Sequence, residues 1–321
     1  MQSEPKTLLE AIRYFSDEQT CINSVALLRW EDGSPVCPYC AAAQGERNHY
    51  WLKTQKRWKC YSCRKQFSVK VGTIFEDSPI ALDKWMLALW MLCNCKNGVS
   101  SYEIARATGI SQKSAWFVLQ RLRFVLKDVE PVKLGSEGAD NPIQIDETHI
   151  GGNPRKMHAK RRNAYYREGG KAIVMGMLDN GSKQVRAMVI PNTKRPTLHA
   201  KILDHILPGS TLHTDQHTGY MGLSDRNAFI HATVNHMEEY VNGKVHTQGI
   251  ENFWSLLKRG LGGTYISVEA THLDRYVDEQ VFRYNTRRNF NDAERFSKAL
   301  SQVAGKRLTW VELTGKEAVR F

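Results

Sequence analysis

At 321 residues the chain is long enough for two or three domains, and its 41% hydrophobic and 10% aromatic content supplies a real core, which excludes a disordered or fibrous protein. No apolar run approaches the roughly 20 residues of a membrane span, and the polar stretch from Met1 to Glu10 lacks a secretory apolar core, so a soluble, cytoplasmic protein is expected. The net charge of +12 is spread over both halves and suits a polyanionic partner, although an ordinary basic protein would carry it equally well.

In chain order, residues 7–30 predict an amphipathic helical lead-in, with Leu8, Leu9, Ile12 and Phe15 at helical spacing. Two tight cysteine pairs follow. Helices are expected at 82–92, 101–108 and 112–126, the last two joined by a turn at Gly109, Ile110 and Ser111. Prolines and glycines between Lys127 and Pro142 mark a linker. The period then changes to strands at 143–150, 172–178, 184–190, 211–215 and 230–234, interleaved with helices at 197–206, 250–261 and 271–285. The expected organisation is a lead-in and ribbon over 1–75, a helix-turn-helix over 76–130, a linker over 131–142, an α/β domain over 143–300 and a tail over 301–321.

Cys37 and Cys40 form one CxxC pair and Cys60 and Cys63 the other, with nineteen residues between them. That is the spacing of a four-thiolate zinc site in a reducing compartment. Two turns close a tetrahedron at about 2.3 Å per Zn–S bond, and the metal substitutes for a core too small to fold unaided. Four thiolates leave no open coordination position, so the zinc is structural. Residues 47–70 hold eight Lys or Arg and no acid, interleaved with Tyr50, Trp51, Trp58, Tyr61 and Phe67. This mixture suits contact with a DNA backbone, and a structural zinc beneath a solvated basic face would read the same. Cys21, Cys93 and Cys95 lack partner spacing; Cys93 and Cys95 flank a helix end and are read as packed thiols.

Residues 101–119, SYEIARATGISQKSAWFVL, read as a helix-turn-helix. Ile104 and Ala105 pack the first helix, Gly109 permits a left-handed turn, Ser111 caps the second helix, and Ala115, Val118 and Leu119 face inward. Gln112, Lys113, Ser114 and Arg121 are then the exposed residues available to a major groove. A plain helical hairpin is the alternative.

Three carboxylates stand out. Asp146 interrupts an apolar strand, where a lone charge is costly unless paired or metal-bound. Asp215 closes the strand TLHTD. Glu251 opens a helix whose apolar stripe is Ile250, Phe253, Trp254 and Leu257, with Lys258 two turns along the same edge. Such carboxylates can hold two hard cations, Mg2+ or Mn2+, about 3.5–4 Å apart for an in-line phosphoryl displacement. Singly, each could as readily be a turn former or a solvated side chain.

The segments CPYC, CYSCRKQFSVKVGTIFEDSPIALDKW, SAWFVLQRLR, QIDETHIGG, TLHTDQHTGY, HTQGIENFWSLLKRG and HLDRYVDEQVFRYNTR stand in this order. Together they resemble the bacterial insertion-sequence transposases of the ISXO-like group, over nearly the whole chain. The resemblance implies a zinc ribbon, a helix-turn-helix and a ribonuclease H-like (integrase-like) α/β domain, a mixed sheet with flanking helices. It also implies an Asp-Asp-Glu or Asp-Asp-Asn metal triad followed by a basic residue, which falls here on Asp146, Asp215, Glu251 and Lys258. Members differ at the third ligand, and Asn252 stands beside Glu251; an anionic oxygen binds a hard cation better, which favours Glu251. Gln248 departs from the Asn expected in the lead-in to this helix.

The basic insert of Arg155, Lys156, Lys160, Arg161, Arg162, Arg167 and Lys171 is read either as a DNA clamp, with Arg161 and Arg162 on phosphate, or as a solvated loop. His149, His213 and His217 lie near the aspartates and are read as hydrogen-bonded structural histidines. The implied activity is recognition of element ends, cleavage to free a 3′-hydroxyl and attack of that hydroxyl on target DNA, by a homo-oligomer in a synaptic complex near the nucleoid. Two alternatives stay open: a nuclease on the same fold that does not join strands, and a non-catalytic DNA-binding regulator.

Overall fold

The computed structural model describes residues 5–45, 47–127, 132–136, 138–152, 154, 158–160, 162–163, 170–224, 228–234 and 247–314. The chain forms two compact units, one from Met1–Leu126 with Arg288–Phe321, the other from Lys127–Arg287.

In the first unit the lead-in is two helices, α1 (Leu8–Phe15) and α2 (Glu18–Arg29). The break is set by Asp17, whose carboxylate caps α2 by accepting the amides of Gln19 and Thr20. Leu8, Leu9 and Ile12, expected to face inward, are exposed; Ala11 and Phe15 are the buried residues of α1. The ribbon is an antiparallel sheet of β1 (Tyr50–Leu52), β2 (Arg57–Lys59) and β3 (Gln66–Phe67). Trp58 pairs across to Trp51 on one side and Phe67 on the other, and Trp30 meets its ring edge-on at 5.4 Å.

Helix α3 (Leu82–Asn94) is the buried spine of this unit. A capping box of Ser100 and Glu103 starts α4 (Ser101–Thr108), which ends at Gly109 with φ 68°. Helix α5 (Gln112–Leu126) begins where Ser111 Oγ accepts the amide of Ser114, and Ala115, Val118 and Leu119 are buried as expected.

Arg121 corrects the sequence reading. It is 4% exposed, and its guanidinium donates to the carbonyls of Leu308, Ile74 and Glu76 at 2.8, 3.0 and 2.7 Å. It lies three residues after Val118 and four before Val125, on the inward stripe, where its charge serves loop carbonyls that otherwise lack donors.

The second unit is built on a five-stranded mixed sheet: β4 (Gly138–Ile150), β5 (Ala172–Asp179), β6 (Val185–Ile190), β7 (Ser210–Asp215) and β8 (Ile230–Val234), in the order β6-β5-β4-β7-β8. The first three strands are antiparallel neighbours, while β4–β7 and β7–β8 are parallel. Asp179 makes the tight β5–β6 turn by accepting the amides of Gly181 and Ser182. Helix α6 (Arg195–His205) carries the chain across to β7, as a parallel strand requires. Strand β4 starts inside the expected linker; its register against β7 shifts between Gly138 and Ile143, and Pro142 sits in that irregular stretch.

The strand period sorts the faces. Ile143, Ile145, Met175, Met177 and Leu212 pack with Leu198 and Ile202 of α6. On the other face Val174, Leu178 and Val185 pack with Ile250, Phe253, Trp254 and Leu257 of α7 (Gln248–Arg259) and Leu273 and Val277 of α8 (Leu273–Thr286). Each fully buried side chain of this kind contributes about 1.5–3 kcal/mol. A mixed sheet between helices is the architecture of a ribonuclease H-like domain.

After Arg287 the chain returns to the first unit with α9 (Asp292–Ser301) and α10 (Trp310–Thr314). Phe296 of α9 meets Trp90 of α3 at 5.3 Å, and the amides of Ile74 and Gly305 bond to Val303 and Gly72. The α/β unit therefore ends before residue 300, and α9 belongs to the N-terminal core. No described helix is long and apolar enough to cross a membrane.

Candidate active site and zinc centre

The two cysteine turns are built alike. The amide of Cys37 bonds to Ala42 and its carbonyl accepts from Ala41; Cys60 does the same with Lys65 and Arg64. Ala41 and Arg64 take φ of 56° and 63°, which turns each loop back on its first cysteine. All four sulfurs lie within 4.8 Å of one another, with Cys37–Cys63 at 3.6 Å and Cys40–Cys60 at 3.7 Å. A zinc tetrahedron with bonds of about 2.3 Å has an edge of about 3.8 Å, so the donors fit that ion and the ribbon. Burial pushes the Cys37 thiol up to about 12, whereas the amide of Ala42 draws Cys40 down to about 7.

His49 had no signal in the cysteine spacing. Its Nδ1 accepts the amide of Tyr61 at 3.4 Å, which leaves Nε2 to donate to the carbonyl of Ala42 at 3.1 Å, so the ring bridges the two turns. On the ribbon surface Tyr50 and Tyr39 are exposed, and Lys65 lies over Tyr39 at 5.1 Å.

At the start of α5, Gln112 is half-buried and donates to Ser101 Oγ at 2.8 Å; Lys113 is exposed with its ammonium 5.1 Å from the Trp310 ring centre; Ser114 Oγ accepts from Ser111 at 2.9 Å. Arg121 takes no part in this surface.

The carboxylates come from three elements. The β4–β7 register pairs Gln144 with His213; carried two residues further, it sets Asp146 level with Asp215 on one face. Helix α7 lies over that face and is tied to β4 twice. Gln144 Oε1 accepts the amide of Ile250 at 3.0 Å, and Trp254 Nε1 donates to Asp146 Oδ2 at 2.9 Å. Gly176 pairs with Asp146, and a Cβ there would stand 2.5 Å from the Trp254 ring, so only glycine gives the indole its seat.

Glu251 is exposed in the first turn of α7, with Oε1 accepting from Thr247 at 3.1 Å; Asn252 beside it is exposed too. Burial foremost, then the charges of Asp215 and Glu251, push Asp146 up to about 6 against its own hydrogen bonds. Asp215 and Glu251 both lie near enough to Asp146 to act on its charge. The three carboxylates stand wider than the sulfurs: among the described residues only the cysteine quartet gathers three or more ligand atoms within 4.8 Å. An oxygen-only set with mutual repulsion suits a hard divalent cation, which relieves it. Lys258 is exposed in the last turn of α7.

Glu147 was not singled out by its sequence. It points to the opposite face, where the Tyr220 hydroxyl donates to it, and burial with the charges of Asp146 and Asp215 pushes it up to about 7. Of the histidines, His149 is exposed and His213 buried. The amide of His217 donates to Asp215 Oδ1 at 3.1 Å, and its Nδ1 accepts from Gly219 at 3.1 Å. In the basic insert Lys160, Arg162 and Lys171 are exposed, while Arg155, Lys156, Arg161 and Arg167 lie outside the described residues.

Residues 138–285 match the family model described as the ISXO2-like transposase domain, and residues 16–66 match the transposase zinc-ribbon domain. The first match opens where β4 opens and closes within α8. An uncharacterized protein in transposable element ISH50 of Halobacterium salinarum is 27% identical over 260 residues, covering 78% of this chain and 85% of that protein. Among solved structures, a cryoEM structure of the simian T-cell lymphotropic virus intasome in complex with PP2A regulatory subunit B56 gamma aligns at 14% identity. It covers 62% of this chain and 65% of that chain, with a TM-score of 0.29. With both modules matched in one chain, the protein belongs to the insertion-sequence transposases that join a zinc ribbon to an ISXO2-like transposase domain.

Proposed function

We propose that the chain binds the ends of its own element and performs cation-dependent cleavage and transfer of DNA strands. The observation that carries this reading is geometric: the β4–β7 register puts Asp146 and Asp215 on one face, and α7, tied to β4 through Gln144 and Trp254, brings Glu251 over it. Asp146, Asp215 and Glu251 would hold two Mg2+ or Mn2+ ions. When bound, such ions activate a water or a 3′-hydroxyl and stabilise the leaving oxygen. The carboxylates would hold the ions from the protein side and leave the other side for a phosphate. Lys258, on the same helix edge as Glu251, offers an ammonium to that strand. Cys37, Cys40, Cys60 and Cys63 would hold the structural zinc, keeping the basic and aromatic ribbon in shape against a DNA backbone. Gln112, Lys113 and Ser114 would enter the major groove as the start of a recognition helix, and Arg162 would bind phosphate. Two ends must be held together, so a homo-oligomer is expected.

The test incubates the full chain with Mg2+ and duplexes bearing the element's terminal repeats. Nicked ends and joined products are expected, and both should vanish in Asp146→Ala and Asp215→Ala. Nicks without joined products would leave a nuclease. Undiminished activity in those variants would overturn the assigned chemistry.

A further inference from the structure

We propose that Trp254 is a positioning residue for the first aspartate: its indole N–H, beyond the packing of its ring, sets the orientation in which the Asp146 carboxylate meets a divalent cation. This rests on the reading of Asp146, Asp215 and Glu251 as the metal-holding set. The two oxygens of Asp146 each accept one hydrogen bond, Oδ1 from the amide of Glu147 at 2.8 Å and Oδ2 from Trp254 Nε1 at 2.9 Å. The amide belongs to the next residue of the same strand, and alone it leaves the carboxylate's broad terminal torsion soft. A second donor from a different element fixes the plane. Each oxygen keeps a lone pair for a cation, so orientation is gained without loss of ligand capacity.

Packing does not require the indole N–H here. Trp254 is 4% exposed, its ring rests over Gly176 and meets Phe253 edge-on at 5.2 Å. Both contacts are made by ring carbon and need only the shape of the indole, whereas its N–H adds a donor aimed at the carboxylate. Nor does docking of α7 depend on that donor, because Gln144 already anchors the amide of Ile250 one turn earlier. Trp254 follows Glu251 by three residues, so one side chain sets both the orientation of the first ligand and the rotation of the helix bearing the third.

The experiment uses the full-length, zinc-loaded chain with Trp254→Phe. Because a phenyl ring leaves a gap over Gly176, a second protein carries 3-benzothienylalanine in place of Trp254, which keeps the shape and replaces N–H with sulfur. Mn2+ binding is read without DNA by the electron paramagnetic resonance of the free ion, and strand cleavage is followed against Mg2+ concentration. Both proteins are expected to bind Mn2+ about tenfold more weakly and to need about tenfold more Mg2+ for half-maximal cleavage. Cleavage at saturating cation should change far less. Unchanged Mn2+ binding and Mg2+ dependence in the benzothienyl protein, with both lost in Asp146→Ala, would overturn the proposal and leave the metal-site reading standing. A rate loss equal at every Mg2+ concentration would overturn it too. Should Asp146→Ala bind Mn2+ and cleave like the wild type, the underlying reading fails and the proposal falls with it.

Discussion

Gln144 reaches from the centre of β4 to accept the backbone N–H of Ile250 at 3.0 Å. Its side chain is a second acceptor for an amide that also bonds to the Thr247 carbonyl at 3.1 Å, and so ties the first turn of α7 to the sheet. The same residue is 1% exposed, and its Oε1 would stand 2.8 Å from a Cβ added at Gly249. Gln144→Ala leaves that amide with the Thr247 carbonyl alone and opens a gap; loss of the hydrogen bond should cost about 0.5–1.5 kcal/mol in urea unfolding, before the gap adds to it. Because Glu251 rides on that turn, cleavage should also fall well beyond the loss of folded protein, as measured at a temperature where the variant is fully folded.

The surface proposed to enter the major groove can be separated from its support by two substitutions. Arg121 bonds three carbonyls from a buried position, and hydrogen bonds to a charged group contribute about 1.5–3 kcal/mol each. Arg121→Lys should therefore destabilise the first unit clearly, since one ammonium cannot reproduce a planar fork. Lys113→Ala should leave unfolding within about 0.5 kcal/mol. It should lower DNA affinity with a salt slope reduced by about one. Equal effects of the two changes on stability would contradict the division of roles.

How far these sites can be read from sequence depends on whether their geometry is local. The zinc donors were legible because each CxxC turn fixes two ligands within four residues. The strand carrying Asp146 was legible from its period, and so was the helix carrying Glu251. The placing of that helix over that strand was not, because it depends on contacts remote in sequence, Gln144 with Ile250 and Asp146 with Trp254. Trp254 was counted as one more apolar position, although a buried indole also needs an acceptor. Arg121 was misread because its charge outweighed its place on the inward stripe. Pro142 suggested a linker where a bulged strand tolerates it. The return of α9 to the first unit left no mark, since its helical period is indifferent to which core it joins.

The upward shifts of Asp146 and Glu147 have a pH signature. Asp146 is pushed up to about 6 and Glu147 to about 7, both above the ordinary carboxylate range of the unfolded chain. The folded state therefore binds their protons more tightly than the unfolded state. Their contribution is fully present below about pH 4 and is lost as pH rises through about 6 to 7. In zinc-loaded protein without Mg2+ or Mn2+, the thermal midpoint should fall across that window relative to an Asp146→Asn variant, which lacks the Asp146 titration. Added Mn2+ at pH 8 should flatten the difference by replacing the protons with a cation. Parallel pH curves for the two proteins, with or without Mn2+, would remove the basis for a shared cation site.

The matching turns of the ribbon allow a last prediction. Arg64 occupies the position of Ala41 in the other turn, exposed and at φ 63°. A left-handed residue with a Cβ costs about 1–2 kcal/mol, against about 0.5–1 kcal/mol for the extra unfolded-state freedom of glycine. Arg64→Gly should thus be neutral to mildly stabilising, with zinc content unchanged. If the ribbon also touches a DNA backbone, the same variant should bind DNA more weakly at low salt while unfolding no more readily, because one phosphate contact is gone. Zinc removal by a strong chelator should do the reverse, unfolding the ribbon whatever the salt, since thiolate coordination supplies its folding energy. Calorimetry and a salt titration of DNA binding on the same preparations would distinguish the two. A marked loss of stability in Arg64→Gly would show that the arginine side chain, and not the turn, holds the second cysteine pair in place.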